Sequence, residues 1–244
     1  MTQTGQGSDE SDERELLGLC AAIAARRHAE ARRMLEQTPG LGTWRLQIGA
    51  SRQDPRPYFL IPIGHYLYAG DTALHVAAAA HDRELAESLV AQGAVVRARN
   101  RRGAEPLHYA ADGRPEADDW DSSPQRDVIS YLIDAGADPD ALDKSGVAPL
   151  HRAVRTRSSA AVRALIDRGA NLLLMNKRGS TPLHLAVQTT GKTNSGSEVA
   201  KEEQHRIIGL LLSHGASGTD LDAKGKTVAA AASSEWIRQL LDRS

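Results

Sequence analysis

Thr181-Pro182-Leu183-His184 is the fourth appearance of one short turn, after Thr72-Ala73-Leu74-His75, Glu105-Pro106-Leu107-His108 and Ala148-Pro149-Leu150-His151. Each copy is trailed by an apolar pair and Gly-Ala: Leu89-Val90 with Gly93-Ala94, Leu132-Ile133 with Gly136-Ala137, Leu165-Ile166 with Gly169-Ala170, and Leu211-Leu212 with Gly215-Ala216. From glycine to the next motif leucine the separation is 14 residues in all three cases, Gly93 to Leu107, Gly136 to Leu150 and Gly169 to Leu183. Units repeated at fixed spacing bury their apolar faces on one another, so the chain reads as one continuous stack rather than as one or two globular cores.

Leu74 to Leu107 and Leu150 to Leu183 are each 33 residues apart, the period of ankyrin repeats, and the chain resembles the ankyrin-repeat family of partner-binding scaffolds. The resemblance implies roles residue by residue. Leu74, Leu107, Leu150 and Leu183 would be core, and His75, His108, His151 and His184 would hydrogen-bond neighbouring backbone. Gly93, Gly136, Gly169 and Gly215 would end the second helix of each unit, where a residue without Cβ accepts positive φ. Ala73 and Glu105 depart from the motif inside the turn. The implied fold is an all-α ankyrin-repeat solenoid of helix-turn-helix repeats with hairpin-like fingers, four full repeats between degenerate N- and C-terminal capping units.

Four segments follow. Residues 1–12 are polar and acidic and are expected to be a flexible tail. Residues 13–39 form a capping helix pair, in which Leu19 to Met34-Leu35 reproduces the 15-residue offset of Leu74 to Leu89-Val90. Residues 40–69 are an insertion holding five of the nine aromatic residues, Trp44, Tyr58, Phe59, Tyr66 and Tyr68. Trp44 to Ile48 alternates and Tyr58 to Ile63 is strand-like, which predicts an extended hairpin. Residues 70–244 are the repeats, closed by a cap in which Thr227-Val228-Ala229-Ala230 replaces the usual turn and a short helix runs through Trp236, Ile237, Leu240 and Leu241. Leu107 to Leu132 spans 25 residues and Leu183 to Leu211 spans 28, where the regular units span 15. The two interhelical insertions, Asp112 to Arg126 and Thr189 to Gln204, are expected on one face of the stack, and Ser197 near the start of an extended outer helix.

Charge and composition narrow the function. A net charge of −1 argues against nucleic acid as the partner. The single cysteine, Cys20, cannot form an internal disulfide and stands at the repeat-histidine position as a buried small hydrophobe. No run is long enough to span a bilayer, so a cytoplasmic monomer is expected. Repeated histidines one unit apart are too widely spaced to share a zinc ion, and no metal or cofactor is expected. Ala186-x-x-x-x-Gly191-Lys192-Thr193 resembles a degenerate phosphate loop, but it leaves a helix where a phosphate loop leaves a strand, and it is read as a chance match.

The expected function is non-catalytic: a protein-protein interaction scaffold holding a partner on its concave finger and inner-helix face. Candidate contact residues are Trp44, Tyr58, Phe59 and Tyr66 of the aromatic insertion, Arg97, Arg99, Arg101 and Arg102 of the first finger, and Trp120 of the first interhelical insertion. The runner-up is an accessory or inhibitory subunit of a client enzyme. A hydrolytic or phosphate-handling site in the insertions is the third reading, and it lacks a convergent nucleophile, base and orienting group.

Overall fold

A computed structural model describes residues 6–188 and 196–242. The Gly191-Lys192-Thr193 stretch, the start of the second interhelical insertion and the first five residues of the tail lie outside the described residues. Among the described residues twelve helices form six successive pairs: α1 (Gln6–Ala24) with α2 (His28–Gln37), α3 (Ala73–Ala79) with α4 (Arg83–Ala91), α5 (Pro106–Ala110) with α6 (Ser123–Asp134), α7 (Pro149–Arg155) with α8 (Ser159–Asp167), α9 (Pro182–Ala186) with α10 (Glu198–Ser213), and α11 (Val228–Ala231) with α12 (Glu235–Leu241). Short inner helices contact inner helices, α3 on α5, α5 on α7, α7 on α9, while the outer layer runs α4, α6, α8, α10. This is an all-α repeat fold. Its core is a continuous file of motif leucines and small residues, with Leu74, Leu107 and Leu183 fully buried and Leu150 1% exposed.

The first helix begins at Gln6 rather than near Glu13, so it reaches into the stretch expected to be a loose tail. Leu16, Leu19, Cys20 and Ile23 are all buried, and once that packed turn is nucleated each further helical residue costs little. At the far end Thr227 accepts from Ala230 N–H (3.1 Å) at the start of α11, and Ile237 and Leu241 of α12 are buried.

The motif histidines are staples between units. His75 Nδ1 accepts from Thr72 N–H (3.2 Å) and its Nε2–H donates to Ala104 O (3.2 Å). His108 repeats this with Glu105 N–H (3.1 Å) and Val147 O (3.0 Å), and His151 with Ala148 N–H (3.2 Å) and Ser180 O (3.2 Å). His184 takes the Thr181 hydroxyl at Nδ1 (2.8 Å) and donates to Lys226 O (3.1 Å). Each ring therefore joins the start of its own inner helix to the next finger, and in His75, His108 and His151, where Nδ1 accepts a backbone N–H, the proton sits on Nε2.

A second set of staples sits at the opposite end of the helices. Arg26, His81 and Arg157 are the only described non-glycine residues with positive φ (54°, 52° and 58°), one each in the α1–α2, α3–α4 and α7–α8 turns. Left-handed backbone costs a non-glycine residue of order 1 kcal/mol or more. Here each side chain reaches the next unit: Arg26 to Ala80 O (2.7 Å), His81 to Asp112 O (3.1 Å) and Arg157 to Ala186 O (3.2 Å). Where insertions lengthen the turn, buried glutamines of the outer helices bond the end of the inner helix of their own unit, Gln125 donating to Ala110 O (2.9 Å) and Gln204 to Ala186 O (2.6 Å).

Glu105 is the motif's weak point. It is 2% exposed, and among the described residues its Oε2 has no hydrogen-bond partner, with Arg97 Nε 3.5 Å away. Burial raises its pKa above the usual carboxylate value, partly offset by Arg97 and Arg99. Glu105→Thr, which restores the hydroxyl found at Thr72 and Thr181, is expected to stabilise the protein at pH 7 by about 1 kcal/mol because a buried unsatisfied acceptor disappears. A urea midpoint unchanged or lowered by the substitution would mean that the carboxylate is better held than its partners indicate.

The aromatic insertion is shorter in strand and more tightly packed than its sequence pattern predicts. Trp44 to Ile48 is not a strand. It runs irregularly beside residues 67–71, with Leu46 N–H on Asp71 O (2.9 Å), Gly70 N–H on Leu46 O (2.7 Å) and Ala50 N–H on Leu67 O (2.7 Å). Gly49 makes this approach possible, since a Cβ there would lie 2.4 Å from Ala69 N. The hairpin itself is β1 (Phe59–Leu60) and β2 (His65–Tyr66), antiparallel with Phe59 opposite Tyr66, joined by a 3-10 turn at Ile61–Ile63.

Candidate partner-binding groove

Inner helices of a stack leave one face toward solvent, and here that face is walled. Residues one and four positions after the motif histidines occupy it: Tyr109 and Asp112 from α5 and its end, Arg152 and Arg155 from α7. The hairpin β1–β2 lies across them. His65 stacks on Tyr109 with ring centroids 4.2 Å apart, and its Nε2 is 3.1 Å from Asp112 Oδ2. Arg114 donates to Pro62 O in the hairpin turn (3.3 Å). The first interhelical insertion forms the facing wall, with Gly113 N–H on Thr156 Oγ1 (3.1 Å) and Trp120 edge-on to His81 (5.4 Å). Between them is an open groove of about 780 Å³.

Its floor is a polar pair set in aromatic surroundings. Arg152 donates through Nε to Asp112 Oδ1 (3.0 Å) and through Nη2 to Asp112 Oδ2, a forked geometry that fixes both side chains. Burial opposes the charge on Asp112, but Arg152 and His65 hold its carboxyl below the usual value. Arg152 also lies over the Tyr109 ring (5.4 Å). Beneath, Tyr109 donates its hydroxyl to the fully buried Asp71 (2.7 Å), which takes Asn100 Nδ2 (2.8 Å) and Tyr68 N–H (2.7 Å) as well. Asp112 and His65 have the residue types of a general-base dyad, yet both oxygens of Asp112 are occupied by Arg152, and the other ring nitrogen of His65 faces the Tyr66 carbonyl oxygen (3.1 Å). Among the described residues no group of three or more His, Cys, Asp or Glu is placed to hold a metal ion.

The expected contact residues divide by exposure. Phe59 (37% exposed) and Tyr66 (38%) meet with ring centroids 4.6 Å apart and planes tilted by 47° on the outer face of the hairpin, next to Ile61 at its tip, which is 78% exposed. Trp44 and Tyr58 are half-buried against the core and hold the insertion down. Arg97 is tied to Asp138 (3.2 Å) and Glu105, Arg99 to the backbone of Gly103 and Leu142, and Arg101 to Ala50 O, whereas Arg102 donates to the Tyr68 hydroxyl (3.0 Å) and covers that ring. Trp120 is half-buried and lines the groove. The sequence reading overlooked Ile61, His65, Tyr109, Asp112, Arg152 and Arg155. Four of these could have been found by stepping one and four residues on from each motif histidine, where a helix presents one face. His65 could not, because its place depends on how the insertion folds.

Ser197 caps α10 by accepting from Ala200 N–H (3.1 Å) and donates to Glu116 Oε1 (2.6 Å), so the two interhelical insertions meet on one face. No described helix is long and apolar enough to cross a membrane.

Comparison with known proteins agrees with this construction. Residues 122–202 match the family model for ankyrin repeats in three copies, and residues 69–101 match the model for a single ankyrin repeat. The interval 102–121 between them holds α5 and the insertion that breaks the repeat period. No curated protein matches the chain. With the motif histidines stapling each unit to the next finger and the family models matching on both sides of the insertion, the chain is an ankyrin-repeat protein.

Proposed function

We propose that this protein is a non-catalytic scaffold that binds a partner protein in the groove between the β1–β2 hairpin and the 112–121 loop. Ankyrin repeats are generally protein-protein interaction modules, and the four central helix pairs count as full repeats, with the outer two as caps. The observation that carries the reading is the groove itself: an open concavity with walls hydrogen-bonded to the stack, fixed polar groups on its floor and exposed apolar anchors at its rim. Aromatic and arginine side chains around a desolvated pocket are where binding energy concentrates. Arg155 faces the same groove without an ion-pair partner among the described residues. The free, buried Cys20, its thiol pushed up by burial, accords with a cytoplasmic location.

Ile61→Ser, Tyr66→Ala and Trp120→Ala test it. Ile61 and Tyr66 make few contacts that the fold needs, so circular dichroism and melting temperature are expected to stay near wild type, with a modest loss for Trp120→Ala. Affinity for a partner captured by the wild-type protein is expected to fall by 1 kcal/mol or more, roughly fivefold, in at least one variant. Undiminished affinity in all three would remove the groove from the interface.

A further inference from the structure

In sequence the fingers are mixed in sign. In the structure the signs are sorted. Asp138 pairs with Arg97 (3.2 Å) and caps Asp140 N–H (2.9 Å), Asp140 accepts from Asn171 N–H (2.8 Å), and Asp220 accepts from Ser217 N–H (2.7 Å). At the tips themselves one residue in each finger turns its side chain onto the tip backbone. Asn100 accepts from Arg102 and Ala104 N–H (2.9 and 3.1 Å), Asp143 from Ser145 and Val147 (2.7 and 3.0 Å), Asn176 from Arg178 and Ser180 (2.9 and 3.2 Å), and Asp222 from Lys224 and Lys226 (2.8 and 2.9 Å). The finger carboxylates are thus directed at backbone donors, and the cations are left facing out.

The four tips, residues 100–104, 143–147, 176–180 and 222–226, hold seven Lys and Arg against two Asp. Arg102, Lys144, Lys177, Arg178 and Lys224 are exposed, and none has a carboxylate partner among the described residues. Neighbouring tips are tied together, with Lys144 N–H on Arg102 O (2.8 Å), Lys177 N–H on Ser145 O (3.1 Å) and Ala223 N–H on Gly179 O (3.0 Å). These cations therefore form a row of fixed order on a chain whose net charge is −1.

We propose that this row is a docking strip for an extended acidic segment of the partner protein. The tip N–H groups are already bonded to the next tip or to the capping side chain, so the strip cannot add a strand and recognises through side-chain charge. Complementary charge sets register and association rate. Single-stranded nucleic acid is disfavoured because bases need aromatic platforms, and the ring beside the strip, Tyr68, is covered by Arg101 and Arg102 (5.5 and 4.8 Å). The proposal rests on the reading of the protein as a partner-binding scaffold, and it adds a second contact region with its own chemistry.

The test uses the full chain and three fluorescent probes: a glutamate-rich peptide, the same peptide with glutamine in place of glutamate, and oligo(dT). Wild type is expected to bind the glutamate peptide at low salt, to lose it as salt rises, and to bind the glutamine peptide at least tenfold more weakly. The combined Lys144→Glu, Lys177→Glu and Lys224→Glu variant is expected to weaken glutamate-peptide binding about tenfold or more with unchanged circular dichroism, while Arg163→Glu on the exposed side of α8 changes it less than about twofold. The corresponding glutamine triple variant, which adds no new charge, serves if the reversal variant unfolds, and is expected to weaken binding at least about threefold. Absence of glutamate-peptide binding by wild type, indifference to both triple variants, or tighter binding of oligo(dT) than of peptide overturns the strip. A strip that fails while the Ile61, Tyr66 or Trp120 variants still lose a captured partner leaves the groove reading standing, and the reverse pattern separates the two the other way.

Discussion

Leu150→Ala is expected to lower the free energy of unfolding by roughly 2–5 kcal/mol. Leu150 is 1% exposed on α7, which packs on α5 to one side, α9 to the other and α8 behind it. Truncation removes a fully buried isobutyl group and leaves a space that three helices would have to collapse to fill, and interiors packed at crystal-like density collapse only partly. In a stack each unit touches only its neighbours, so stability is close to a sum of local terms and junction terms. Leu150 lies at the middle of that sum, and its loss weakens the junctions on both sides. The urea transition should therefore shift to lower denaturant and also broaden, as the halves on either side of α7 begin to unfold separately. A loss below about 1 kcal/mol would show that the leucine is not at a junction and that the repeat phase assigned to the chain is wrong. His151→Ala makes a useful companion, since it cuts the bonds to Ala148 and Ser180 without removing the leucine.

What could be read from sequence follows from which interactions are periodic. The four Leu-His turns and the Gly-Ala helix ends obey a fixed spacing and stand in the structure where that spacing puts them, while the two interhelical insertions are legible as departures from it. The histidines were legible as backbone staples because the neighbouring unit supplies the same carbonyl each time. Arg26, His81 and Arg157 were not, since nothing in their residue types announces left-handed backbone. The aromatic insertion has no periodic counterpart, so its course depended on contacts remote in sequence: Glu13 of α1 accepting from Gln47 and Ile48 N–H (2.8 and 3.1 Å), and His65 meeting Asp112. Alternation at Trp44 to Ile48 suggested a strand, but the partner it found was the irregular chain at residues 67–71. Charge was the least legible of all. Counting Arg and Asp along the fingers gives a mixed row, and only the direction of each aspartate, inward to backbone N–H groups, shows that one sign remains outside.

The same histidine staples make the fold acid-sensitive. His108 and His81 are each lowered from the ordinary 6.5 to about 4, chiefly by burial, and His75 and His151 are lowered in the same direction for the same reason. Geometry enforces this in the motif rings: Nδ1 accepts a backbone N–H, so a proton there would set two donors against each other. A base whose folded pKa is depressed binds its proton more readily in the unfolded chain, so stability rises with pH through this window. The contribution is fully present above about pH 6.5 and is lost as pH falls from 6.5 toward 4. By pH 4 the losses from His108 and His81 reach roughly 3 kcal/mol each, which together rival the 5–15 kcal/mol that typically separates a folded domain from its unfolded chain. Asp112, held below the usual carboxylate value, stays ionised through most of this window and does not drive the change. Glu105, raised by burial, works in the opposite direction and blunts the fall at its acid end. Urea titrations at pH 7.5, 6 and 5 should show the midpoint dropping steadily, with the free energy of unfolding falling by up to about 1.4 kcal/mol per pH unit for each histidine titrating. His108→Gln should be less stable than wild type at pH 7.5 yet lose less between pH 6 and 5, because one titrating staple is gone. A wild-type midpoint that stays level from pH 7.5 to 5 would mean that the buried rings accept their protons without leaving their partners, and that the staples do not hold the units in the way their geometry indicates.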